Sequence, residues 1–288
     1  MSNTSKFRIV VHTLLLIYAA ILAYILLGLV FQFHISADIF FDLSFALLFF
    51  SLGQAFYEMG FKKALTFIVI TAVIGFVAEV LGTSTGFPFG QYYYTDFLGP
   101  KVLGVPEVVP LVWFVIAYLA FSIAHSAFGN DNRRLLTLAS LAAFGAVSWD
   151  FMVDPMFSSY GYWVWTKQFL PLPKLSGIPL TNFVGWFVLV TLMLSVFLLV
   201  VPKGKGLISR KNTFDSRLVY LLLMIDGIVA NSTLGNCKKT HYGRSRKSGQ
   251  KYEGSALVHS KACRAGRTHG NTMHENLHSF YRGGCRRN

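Results

Sequence analysis

Three acidic side chains stand where acids are costly. Glu79 lies in Ala78-Glu79-Val80-Leu81, close to the end of a long apolar run. A carboxyl stripped of water disfavours its anion, so it can hold a proton near neutrality and donate it. Asp150 and Asp154 are four residues apart near the end of another apolar run. That spacing puts both on one helix face with their carboxyls in reach of each other. Two acids that close do not both ionise cheaply, so one can keep its proton while the other accepts one, the division between general acid and general base. A plainer account makes Glu79 a helix-end acid reaching headgroup water and lets Asp154, which precedes Pro155, end its helix. Asp150 would still need a reason.

Two segments rich in glycine, proline and aromatics accompany these acids. One runs from Gly82 through Thr85, Gly86, Pro88 and Gly90 to Tyr92, Tyr93 and Tyr94; the other holds Tyr160, Trp163 and Trp165, then Gly177, Pro179 and Asn182. Glycine permits tight turns and tyrosine favours the headgroup level, so both read as ordered backbone near a membrane interface.

The elements that must position these groups are membrane helices. Of the 288 residues, 53% are hydrophobic and only 14% charged, with a mean hydropathy of +0.50, against about a quarter charged in ordinary soluble domains. Crossing a hydrocarbon core of about 30 Å takes about 20 apolar residues, and six windows meet that length: 9–31, 39–57, 64–82, 108–128, 135–153 and 182–201. A seventh stretch, 218–230, carries Asp226 and is too short to span. The fold class expected is therefore all-α, a polytopic transmembrane bundle of six full spans plus an incomplete seventh, forming a membrane domain over 1–231. Residues 232–288 form a separate basic tail without hydrophobic periodicity. The composition breaks inside an apolar run, which favours a reading-frame change over a disordered tail attracted to anionic lipid.

Orientation follows from the basic residues, which are retained on the cytoplasmic side. Lys6, Arg8, Lys62, Lys63, Arg133, Arg134 and five further Lys/Arg between 203 and 217 fall on one side, against Lys101, Lys167 and Lys174 on the other. The expectation is a multi-pass protein of the cell membrane with a cytoplasmic amino terminus and the long loops 83–107 and 154–181 outside. The outer half then holds Asp38, Asp42, Glu79, Asp96, Glu107, Asp150 and Asp154, while Glu58, Asp131 and Asp215 lie inside. All five tryptophans, Trp113, Trp149, Trp163, Trp165 and Trp186, also fall on or near the outer side. An ordinary aromatic belt populates both interfaces, so the one-sided set points to a site. Aromatic faces stabilise cations by about 0.5 to 2 kcal/mol each, and acids ringed by them at membrane depth suit an apolar substrate passing through a carbocation.

Other chemistries find little support. The net charge of +13 is mostly tail, where 237–288 holds 12 Lys/Arg against 2 acids, so no nucleic-acid partner is implied. Cys237, Cys263 and Cys285 lack CxxC spacing, His125 reads as an interfacial histidine, and no P-loop or dinucleotide fingerprint occurs, so neither metal nor cofactor is expected. None of the six spans has an interior lysine for a Schiff base.

From about Glu79 to Trp186 the chain resembles the membrane carotenoid-biosynthesis family that contains the carotenoid 1,2-hydratases of the bisanhydrobacterioruberin and gamma-carotene types. The likeness rests on Glu79 with Gly82, Thr85-Gly86, Pro88 and Gly90; on Tyr92 and Tyr94 before Leu98-Gly99-Pro100; on Asp150, Asp154-Pro155, Gly161 and Trp163; and on Gly177 to Asn182 with Gly185-Trp186. It implies a cofactor-free polytopic enzyme that adds water across the terminal double bond of an acyclic carotenoid end group drawn from the bilayer. On this reading Glu79, Asp150 and Asp154 form the acid/base group. Tyr92, Tyr94, Trp113, Trp149, Trp163, Asn182 and Trp186 bind substrate, with Asn182 on the water or the new hydroxyl. After residue 231 the family pattern would require a complete seventh helix. End-group cyclisation through the same cation, and a proton-coupled transporter, are the alternatives.

Overall fold

The computed structural model describes residues 3–31, 33, 38–128, 135–167, 170–172, 175, 177–201 and 215–229. The tail 232–288 lies outside the described residues. The long apolar runs form helices, since a helix satisfies its own backbone polar groups where no water can. These are α1 (Asn3–Phe31), α2 (Asp38–Met59), α3 (Phe61–Thr85), α4 (Val109–Phe128), α5 (Leu135–Tyr160) and α6 (Leu180–Val200), with a further helical segment at 215–229.

Among the described residues, five helices are long and apolar enough to cross a membrane: α1, α3, α4, α5 and α6. The expected second span at 39–57 is helical within α2 but is not one of the five. The chain is a mostly helical, multi-pass membrane protein, with five candidate spans among the described residues.

Two further differences bear on the site. α5 does not stop at Asp154; it continues through Pro155 to Tyr160. Proline forfeits one backbone hydrogen bond and is tolerated in membrane helices where neighbours restore the balance, so both aspartates stay on helical backbone. The connections at this end carry the ordered backbone read from their glycines and tyrosines, but with strands that the all-α fold class did not include. They form short strands: β1 (Gln91–Tyr94), β2 (Lys101–Val102), β3 (Val105–Pro106), β4 (Trp163–Lys167), β5 (Pro171–Leu172) and β6 (Ile178–Pro179). β1 pairs antiparallel with β4, setting Tyr92 opposite Trp165 and Tyr94 opposite Trp163. An all-α reading misses this ribbon because four residues give too short a period-2 pattern between two helical runs.

α4 is the most enclosed of the five helices, with 72% of its apolar window buried. It packs against α3 and α5, and α6 closes on α3 and α5. At the bundle centre Phe67 of α3 meets Phe114, Tyr118 and Phe197 edge-on, at ring centroid distances of 6.2, 6.2 and 4.8 Å. The segment 215–229 joins the bundle through Tyr220, whose hydroxyl donates to the Gly145 carbonyl at 2.7 Å.

Glu58, assigned by the topology to the cytoplasmic side, is buried. Its carboxylate accepts from Gln54 Nε2 at 2.9 Å, Tyr118 Oη at 2.6 Å, Ser216 Oγ at 3.2 Å and Ser122 Oγ at 3.5 Å. The donors come from α2, α4 and the segment 215–229, so Glu58 ties three elements together away from the aromatic end. Glu58→Leu leaves those donors without their acceptor and is expected to cost about 2 to 4 kcal/mol. Glu58→Gln retains one acceptor oxygen and should cost about half as much. Thermal unfolding in detergent measures both.

Candidate active site

The three acids singled out above are all buried, with Glu79, Asp150 and Asp154 at 5%, 3% and 2% exposure. The other outer acids differ: Asp42 and Glu107 are exposed, and Asp96 pairs at the surface with Lys101 at 2.8 Å.

Glu79 is set by glycines on its own helix. Gly75, one turn earlier, lies against Trp113 of α4; a Cβ there would stand 2.6 Å from the indole Cγ and Cδ1. Gly82, nearly one turn later, has the same relation to Tyr92, whose hydroxyl would be 2.9 Å from an added Cβ. With no side chains in the way, both partners reach the carboxylate between them. Trp113 Nε1 donates to Glu79 Oε1 at 2.9 Å, Tyr94 Oη donates to Oε2 at 2.9 Å, and Tyr92 Oη donates to the same oxygen. The tyrosines arrive from β1, where period-2 alternation turns Tyr92 and Tyr94 inward and leaves Tyr93 exposed. Burial first, then the charge of Glu79, pushes both phenols well above their ordinary range. They remain protonated donors.

Asp150 and Asp154 meet across a single amide. Asn182, in the first turn of α6, donates from Nδ2 to Asp150 Oδ2 and to Asp154 Oδ2, each at 2.8 Å. Trp163 of β4 donates from Nε1 to Asp154 Oδ1 at 2.6 Å. Glu79 lies within electrostatic range of both aspartates. Carboxyls from α3 and α5 thus lie within electrostatic reach of one another.

The remaining expected residues extend this cluster. Trp186 packs on Trp113 with centroids 4.1 Å apart and on Trp149 at 6.1 Å, making a row of indoles across α4, α6 and α5. Trp163 meets Tyr94 edge-on at 6.1 Å. Asn182 uses its N–H groups on the two aspartates.

Two contributors lie outside the expected set. Phe89, at 2% exposure, stacks on Trp113 with centroids 6.1 Å apart, and Trp165 tilts against Tyr92 at 5.0 Å. Strand alternation would pair Trp165 with Trp163 once β4 is recognised. Among the described residues no three His, Cys, Asp or Glu side chains form a group that could hold a metal ion.

A helical bundle that holds three buried carboxyls beneath indoles and phenols defines the class of protein: a multi-pass membrane protein with a buried acidic cluster. The chain belongs to the carotenoid biosynthesis protein family, which matches residues 38–242 and so takes in every residue of the site. Bisanhydrobacterioruberin hydratase of Haloarcula japonica is 28% identical over 128 residues, covering 43% of this chain. The match spans 41% of that relative's length. No solved structure matches the chain.

Proposed function

We propose that this protein hydrates the terminal double bond of an acyclic carotenoid end group, using its own carboxyls and no cofactor. The observation that carries the reading is the Asp150–Asn182–Asp154 bridge beside Glu79 under an aromatic cover. The name of the Haloarcula japonica relative supports the choice of reaction and of a bisanhydrobacterioruberin-type or gamma-carotene-type substrate.

The donors around each acid divide the labour. Asp150 receives Asn182 alone, Asp154 receives Asn182 and Trp163 with the Trp165 indole N–H also directed to it, and Glu79 receives three donors. A carboxyl with few donors is the natural place for a proton, and one with many is the natural anion. Asp150 is accordingly the acid that protonates the trisubstituted alkene at its less substituted carbon. Glu79 and the indole faces of Trp113, Trp149 and Trp186 stabilise the tertiary cation. Asp154 takes a proton from the attacking water, and its neighbour one helical turn away recovers it, which resets the pair. The carotenoid enters from the lipid, with the protein in the cell membrane, its amino terminus in the cytoplasm and the site toward the opposite face, as the basic residues favour.

Expression in a lycopene-producing host tests the reading. The expected result is a more polar pigment, heavier by one water per reacted end and carrying a tertiary alcohol. Unchanged pigment refutes hydration, and a cyclised product of unchanged mass would assign the site to end-group cyclisation.

A further inference from the structure

Asp150 and Asn182 meet at 2.8 Å where α5 and α6 pack together. The next residue on each helix is a phenylalanine, and the rings of Phe151 and Phe183 also meet, with centroids 4.3 Å apart. One residue along a helix turns the side chain by about 100°, so the two contacts lie side by side along the α5–α6 seam. Asp150 and Asn182 are buried, whereas Phe151 is 44% exposed. The ring pair is therefore the outer contact and the acid–amide pair the inner one. The seam between α3 and α6 is closed differently. There Phe89 is wedged between two glycines: an added Cβ would lie 2.8 Å from its Cδ2 at Gly82 of α3 and 2.9 Å from its Cδ1 at Gly185 of α6. Thr181 Oγ1 donates to the Phe89 carbonyl at 3.0 Å and ties that wedge to the first turn of α6. A ring held between two backbones has no room to swing, while Phe151 has an open side. Pro155 adds to the difference, because it has no N–H for the Phe151 carbonyl one turn earlier in α5. The helix is thus one hydrogen bond short at Phe151 itself.

We propose that the acyclic carotenoid end reaches Asp150 from the bilayer between α5 and α6, through a gate formed by Phe151 and Phe183. The inference rests on the hydration reading above and gives its substrate a route. A carotenoid is a long, narrow, wholly apolar chain. Its reacting end has to come against a buried carboxyl while the rest of the molecule stays in lipid, so the opening it needs is slender, apolar and open sideways to the bilayer. Two rings standing beside the acid on its lipid side meet those requirements. Their parting admits the chain, and their return excludes headgroup water from the cation.

The experiment ties the gate shut in the full chain in membranes. Cys237, Cys263 and Cys285 are replaced by serine, Phe151→Cys and Phe183→Cys are combined, and a short bifunctional thiosulfonate bridges the two new thiols, with intact mass reporting the bridge. Alcohol formation from an acyclic carotenoid is expected to fall at least about tenfold, as the fraction of chains able to admit it falls, and to return when a reductant cuts the bridge. Each single cysteine variant carrying the same reagent cannot tie the helices and should keep its activity. Carotenoid added before the reagent occupies the seam and should slow bridging about tenfold. A bridged chain as active as its reduced form, or bridging that carotenoid does not slow, overturns the gate and leaves the hydration reading standing. Absence of alcohol from the unsubstituted chain overturns that reading, and the effect of carotenoid on bridging then decides the gate alone. Phe151→Trp needs no second site: the larger ring should lower kcat/KM more than kcat, and equal falls in both overturn the gate.

Discussion

Asp150→Asn is expected to abolish hydration, lowering alcohol formation by about 10³-fold, within the range that a positioned general acid contributes. The substitution preserves shape, and the carbonyl of the new amide can still accept from Asn182, whose bridge to Asp150 is 2.8 Å long. The bundle should therefore remain intact. Without a proton to give, the alkene is not activated, so deuterium exchange into the substrate should vanish together with hydration. Asp154→Asn separates the two: protonation by Asp150 survives, exchange persists, and only capture of the cation by water is lost, by about 10²- to 10³-fold. Glu79→Gln replaces one acceptor oxygen with an N–H₂ group that faces Tyr92, Tyr94 or Trp113, all of them donors. It should slow both products together, since the cation loses its counter-charge before it partitions. Unchanged activity in each of the three single variants would eliminate the mechanism.

Gly75→Ala should be nearly as damaging without touching an ionisable group. The new methyl would lie 2.6 Å from Trp113 Cγ and Cδ1 and 2.9 Å from its Cβ. Cβ is fixed to the backbone of α4, so relief requires α3 and α4 to separate or Trp113 to leave its rotamer. Overpacking of this kind costs about 1 to 3 kcal/mol. A displaced indole also loses its 2.9 Å bond to Glu79 and its packing on Trp186 at 4.1 Å. Activity should fall about 10²-fold, more than the stability change implies, because a misplacement of about 1 Å is enough for that. Gly53→Ala is the comparison. Its nearest neighbours are side-chain methyls of Val11 and Leu14 at 3.4 and 3.6 Å, so its unfolding temperature and activity should match those of the unsubstituted chain.

The acids are legible because a carboxyl inside an apolar run demands a reason, and the spacing of four between Asp150 and Asp154 already places them on one face. Their shared amide partner is less so. Nothing in the 28 residues from Asp154 to Asn182 announces that one amide will bridge both aspartates, since that contact depends on how α6 returns against α5. Trp165 is hidden for a related reason. β4 is a five-residue strand whose partner β1 lies about 70 residues earlier, and such pairing leaves no local period long enough to read. The partners of Glu58 are equally hidden, because Tyr118 and Ser216 lie 60 and 158 residues further along the chain.

Hydropathy and residue type settle what this chain's surroundings are, since a helix of apolar side chains has the same preference for lipid whatever it packs against. They also settle which few side chains are out of place there. Which of those meet, at which oxygen and behind which glycine, is a property of helices crossing and of two short strands pairing at long range. Those contacts form only when distant segments are brought together, and no stretch of the chain encodes them alone.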